Sequence, residues 1–124
     1  MVADTLVLVD AQNAMRSRWP NLGAERFVHL VRGWAEQEGV RAVVVFDGTA
    51  PGGATDELEL DERVSLVGTG KGSADDWIVE HAPELVSASP VWLVSSDREL
   101  RSRVAPFVEH TIGGGSFAAR LLAA

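Results

Sequence analysis

The chain contains no cysteine, which excludes disulfides, thiolate zinc sites and cysteine nucleophiles without naming a compartment. Its three histidines, His29, His81 and His110, are too far apart for the short ligand spacings of a zinc site and read as surface or packing residues. No apolar run approaches the ~20 residues needed to span a bilayer. The stretch from Thr5 to Val9 is too short for a signal-peptide core and follows no basic segment, so the expected location is cytoplasmic and off the membrane. Repeats, low-complexity tracts and linkers are lacking too, and 124 residues suit a single domain over residues 1–124 with one core. Basic residues are scarce. Eleven Lys and Arg face eighteen Asp and Glu, and the net charge of −7 argues against a protein that grips nucleic acid over a wide surface.

What the chain does have is four short apolar runs that stop at, or shortly before, a carboxylate. Leu6 to Val9 ends at Asp10, and Val43 to Phe46 ends at Asp47. Val64 to Val67 leads through a Gly-rich turn to Asp75, and Val91 to Val94 leads through two serines to Asp97. Such runs read as buried parallel strands, and open α/β sheets bind ligands beyond the carboxyl ends of their strands. The acids are therefore expected to converge. Carboxylates gathered at a dry sheet end repel one another and take up protons unless a cation neutralises them, which calls for Mg²⁺ or Mn²⁺. Metal-assisted phosphodiester cleavage uses this kind of centre.

The elements between the strands can be placed in order. Ala11 to Gly23 is expected as a loop. A helix follows from about Ala24 to Glu38, with Phe27, Leu30, Val31 and Trp34 on its apolar stripe and Gly39 as a left-handed cap. Gly48 to Thr55 is a flexible loop, and Leu58 and Leu60 mark either a short edge strand or one helical turn. Further helices are expected from near Ser73, from about Asp97 to Val104, and from Phe117 to Leu122, with a weaker strand near Val108 to Ile112. Trp34, Trp77 and Trp92 fall in core patterns. Trp19 reads first as a packing residue and, if exposed, as a surface on which a base could stack.

Local signals compete with the functional reading. Ser73-Ala74-Asp75-Asp76 and Ser96-Asp97-Arg98-Glu99 both fit a capping box, in which the fourth residue reaches back to the serine amide. Asp76 and Glu99 are then structural, and Asp75 and Asp97 are first-turn acids that the helix dipole also favours. Asp47-Gly48 can be a turn alone. Asp10, ending a buried strand, carries the strongest functional signal, because a buried carboxylate is costly without partners. Arg16, Arg18, Lys71 and Arg98 follow acidic strand ends and could form a basic rim, or could be solvated faces.

Leu6-Val7-Leu8-Val9-Asp10-Ala11-Gln12-Asn13, Val45-Phe46-Asp47, Gly72-Ser73-Ala74-Asp75-Asp76 and Val94-Ser95-Ser96-Asp97-Arg98 together resemble the successive motifs of the NYN domains, specifically the YacP-like group within the PIN-like nuclease fold. Each motif is short; their order and spacing, from residue 5 to about 122, make the resemblance specific. It implies a three-layer α/β fold, doubly wound, with a mainly parallel sheet and helices on both faces, and endoribonuclease activity in bacterial RNA turnover. Carried over by position, Asp10, Asp75 and Asp97 would be catalytic metal ligands, with Asn13 beside them and Asp47 and Asp76 as further candidates. Lys71, Arg98, Arg16 and Arg18 would contact substrate. Ala11-Gln12 departs from the Gly-Tyr common in the family and removes an aromatic beside the site.

The expected mechanism is hydrolysis of RNA by water activated at one or two Mg²⁺ or Mn²⁺ ions, leaving 5′-phosphate and 3′-hydroxyl ends as the resemblance implies. The alternative is a catalytically weak RNA- or ribosome-binding module of the same fold. A phosphatase of the haloacid dehalogenase type is disfavoured, because its second aspartate would fall where Gln12 stands.

Overall fold

The computed structural model describes residues 4–53 and 56–123, so Ala54 and Thr55 of the expected loop lie outside the described residues. Strands β1 (Leu6–Asp10), β2 (Arg41–Phe46), β4 (Val64–Gly68) and β5 (Val91–Val94) form where the Val- and Leu-rich runs stand. Two short strands, β3 (Glu57–Glu59) and β6 (His110–Ile112), close the edges. The sheet runs β3-β4-β2-β1-β5-β6, parallel throughout except for β3, which pairs antiparallel with β4. Leu58 thus belongs to an edge strand, not to a helical turn.

Alternation along each strand sends successive side chains to opposite faces. Val7, Val9, Val44 and Val94 pack with helix α2 (Ala24–Glu38) and helix α5 (Gly114–Ala123). Leu6, Leu8, Val43, Val45 and Leu93 pack with helix α3 (Ala74–Val86) and helix α4 (Arg98–Val104). The sheet is therefore covered on both sides, as the resemblance implied. Phe117 anchors the first face edge-on between Phe27 and Trp34, with ring centroids 6.2 and 4.9 Å away. Complete burial of a ring of this size contributes about 1.5–3 kcal/mol.

The connection from β1 to β2 differs from expectation in two respects. The segment after β1 is not loop throughout but begins with a one-turn helix, α1 (Ala11–Met15), whose Ala11, Ala14 and Met15 are buried. On α2 the buried stripe is Phe27, Val28, Val31, Trp34 and Ala35, and Leu30 is only half-buried. Gly39 ends that helix at φ 66°, a left-handed cap. After β4 the chain crosses under β2 and β1 to reach β5, so the sheet's switch of direction lies between β1 and β5. Ligand crevices form at such points.

Candidate active site

Asp10 shares the parity of Leu6 and Leu8, which aims it at the face where α3 and α4 begin. It is 5% exposed. Its Oδ2 accepts a hydrogen bond of 3.0 Å from Ser95 Oγ across the switch point. Burial pushes its carboxyl up to about 6; Ser95 partly offsets this, and the charges of Asp75 and Asp47 add to it.

Asp75 stands in the first turn of α3 and is half-buried. Its carboxyl is also raised, first by burial, then by the charges of Asp97 and Asp47, by a carboxyl–carboxyl hydrogen bond with Asp97, and by Asp76. Asp97 is the N-cap of α4, with Oδ1 accepting from the N–H groups of Glu99 (2.9 Å) and Leu100 (3.1 Å). The capping box expected to start at Ser96 does not form. Ser96 Oγ accepts instead from Gly114 N at 2.8 Å, which leaves the cap to Asp97.

Asp47 follows β2, and its Oδ1 accepts from Ala74 N at 2.7 Å, satisfying the first N–H of α3. The box at Ser73 is half made, with Ser73 Oγ accepting from Asp76 N at 3.1 Å. Asn13 Oδ1 accepts from Ser96 N at 3.0 Å. That bond uses one lone pair of the carbonyl, and the Asn13 amide nitrogen remains as a donor.

These elements enclose an open cleft of about 670 Å³ lined by Asp10, Asn13, Asp47, Asp75 and Asp97, with Arg16 the one basic lining residue among the described residues. Residues 7–108 match the family model of the YacP-like NYN domain. The chain belongs to that family.

Its fold is similar to that of a mutant of Rae1 (YacP) from Bacillus subtilis, with TM-score 0.70 and 20% identity over 98% of this chain and 76% of that one. A mutant T5 5′-exonuclease gives TM-score 0.60 and 15% identity, covering 88% of this chain and 50% of that one. The T5 D15 protein co-crystallized with metal ions gives 0.56 and 14%, covering 86% and 54%. No match is found among curated protein sequences. The architecture is that of YacP and the PIN-like nucleases.

In this YacP-like NYN domain the other candidate residues fall outside the cleft. Asp76 is exposed and faces Arg103 Nη1 at 3.8 Å, away from its neighbour Asp75. Lys71, Arg18 and Arg98 are exposed and do not line the cleft, so of the expected basic rim only Arg16 reaches it. Trp19 is not a packing residue: it is 90% exposed. Trp77 and Trp92 are partly, not fully, buried.

Sequence reasoning missed the residues that hold the acids in place. Ser95 is fully buried and, besides donating to Asp10, accepts from Asp97 N at 3.1 Å, tying the two acids through one hydroxyl. Its signal is its place, directly after β5. Gln12 donates from Nε2 to Asp47 O (3.3 Å) and accepts at Oε1 from Asp47 N (3.0 Å). Gly114 allows the start of α5 to lie against α1, since a Cβ there would collide with Asn13 Oδ1 and sit 3.2 Å from Ala14 Cα.

Proposed function

We propose that this domain is a divalent-metal-dependent endoribonuclease that hydrolyses RNA phosphodiester bonds, with Asp10, Asp75 and Asp97 holding one or two Mg²⁺ or Mn²⁺ ions. The observation that carries this reading is the convergence of carboxylates from β1, α3 and α4 on one cleft, where Asp10 and Asp75 are held above the ordinary carboxylate range. A cation would relieve the repulsion, and an all-oxygen donor set favours a hard ion over zinc. Among the described residues no three acidic or histidine side chains form a ready-made metal-holding group. Mg²⁺ commonly keeps several waters and is held by one or two carboxylates together with substrate phosphates. When bound, such ions polarise phosphoryl oxygens and lower the pKa of the attacking water. The T5 D15 protein, crystallized with metal ions, supports the reading through its shared fold.

The chain's own residues have separable tasks. Ser95 fixes the Asp10 carboxylate, and Asp97 is oriented by the two helical N–H groups it caps. Asn13 offers its amide N–H to a phosphoryl oxygen or to water. Arg16 offers a planar fork to a neighbouring phosphate. Asp47, already bound to Ala74 N, supplies negative charge more than a free ligand. The choice of RNA and of internal cleavage comes from the resemblance to YacP-like NYN domains.

The absence of a ready-made metal group among the described residues favours a second reading, an RNA- or ribosome-binding module of the same fold. A circular single-stranded RNA separates the two, because only an endonuclease can open it. Linearisation in Mn²⁺ or Mg²⁺, stopped by chelation and by Asp75→Asn, is the expected result. A circle left intact at millimolar metal overturns the nuclease, and opening that chelation does not affect overturns the metal.

A further inference from the structure

Four tryptophans occupy this chain, and three have an aromatic neighbour. Trp34 lies edge-on to Phe117, Trp77 stacks on His81 at 3.9 Å, and Trp92 meets His110 edge-on. Trp19 alone has no such neighbour among the described residues and is 90% exposed, whereas the next most exposed large hydrophobic, Leu58, reaches 42%. An indole left in water contributes nothing to the core.

The loop that carries it is held at both ends. Arg16 N donates to Gln12 O (2.9 Å), Ser17 Oγ to Ala14 O (2.6 Å) and Leu22 N to Met15 O (3.0 Å), and Leu22 is buried. Residues 11–24 contain no carboxylate in a chain of net charge −7. They contain two arginines, neither of which has an ion-pair partner among the described residues. Arg16 and Ser17 line the acidic cleft. Three residues of chain span at most ~10 Å, about three stacked nucleotide steps of ~3.4 Å.

We propose that Trp19 is a stacking platform for a base of single-stranded RNA, within about three nucleotides of the phosphate that Arg16 contacts at the cleft. The proposal rests on the nucleic-acid reading of the cleft. It also answers how so acidic a domain holds RNA: few phosphates can be neutralised, so base–aromatic stacking must carry a large share of the affinity. Stacking accepts any base, because every base has a π-face. It also differs from phosphate contact in its response to salt, since only the latter releases counterions.

The test uses the full chain with Asp75→Asn, which prevents cleavage, and a fluorescent oligouridine of about eight nucleotides. Trp19→Ala should weaken binding roughly 5- to 150-fold with the slope of log affinity against log salt unchanged. Trp19→Phe should retain most of the binding. Arg16→Ala should flatten the slope by about 0.7. Quenching of indole fluorescence on titration with unlabelled oligouridine should vanish in Trp19→Ala. Circular dichroism should show the same melting for Trp19→Ala as for its parent, which separates stacking from folding. Binding of Trp19→Ala within twofold of its parent overturns the platform, and if the Trp19 chain with Asp75 intact still opens circular RNA, the nuclease survives. Loss of binding in Trp19→Ala when the Asp75-intact chain opens no circle supports the platform and overturns the nuclease. No binding by any variant overturns the platform, and opening of circular RNA by the Asp75-intact chain alone decides the nuclease.

Discussion

Replacing Asp10 by Asn tests the electrostatics of the cleft without reference to catalysis. Asp10 is 5% exposed, and its carboxyl is pushed from an ordinary 3.8 up to about 6. At ~1.36 kcal/mol per pH unit, ionising it in the folded protein costs about 3 kcal/mol more than in the unfolded chain. Between pH 3.8 and about 6 the folded state binds more protons than the unfolded state, so this residue's contribution to stability falls as pH rises through that window and is level above it. Asn cannot ionise, occupies nearly the same volume, and can still accept from Ser95 Oγ. The stability difference between Asp10→Asn and the parent, measured by urea unfolding in chelator, should therefore be small near pH 4 and grow to as much as about 3 kcal/mol at pH 7 and above. At pH 7 the melting temperature should rise by on the order of 10 °C. Taking the difference cancels the acids that titrate alike in both proteins. A difference that stays flat from pH 4 to 8, or a variant less stable than its parent at pH 7, would refute the reasoning. Millimolar Mn²⁺ should narrow the gap by stabilising the parent.

Two further pairs of variants address the supports of the site. Gly114→Ala forces a methyl against Asn13 Oδ1 and the α1 backbone, so it should cost about 1–3 kcal/mol and lower RNA cleavage more than Gly115→Ala, whose Cβ would meet only Ser17 Cβ at 3.9 Å; equal effects by thermal melting and cleavage rate would count against the packing argument. Asp97 joins two roles that chemistry can divide: Asp97→Asn keeps a side-chain oxygen for the N–H groups of Glu99 and Leu100 and should melt like the parent without cleaving, whereas Asp97→Ala should also lose about 0.5–2 kcal/mol of stability.

The strands were legible because four Val- and Leu-rich runs with abrupt ends leave little choice of structure, and the convergence of Asp10, Asp47, Asp75 and Asp97 follows once those strands are parallel. Helix α1 was not legible, since five residues give no period to read, and its Ala and Met positions acquire meaning only when buried against α5 and the sheet. The identity of the α4 cap was hidden for another reason. Ser96 and Asp97 are both good caps, and Gly114 N, eighteen residues on, decides by taking the serine hydroxyl. Asp75 and Asp76 differ by one helical step, enough to send one into the cleft and the other towards Arg103. Which basic residues reach the cleft was not legible, because proximity in sequence to an acid says nothing of where a long, flexible side chain ends.

The two hydrogen bonds between Gln12 and the Asp47 backbone have a consequence for how strand turns into helix. β1 and β2 pair through Asp10 opposite Val45, and extending that register puts Gln12 opposite Asp47. By then the chain has already coiled into α1, so its own peptide groups cannot serve the next rung. The glutamine amide, with a donor nitrogen and an acceptor oxygen in one plane, stands in as a detachable peptide bond and closes the seam between diverging backbones. Glu at this position would lack the donor and bring another negative charge to the cleft, while Asn would be a methylene short. Position 12 is thus a splice whose shape is dictated by main-chain geometry, and it holds the carboxylates at the ends of β1 and β2 in register.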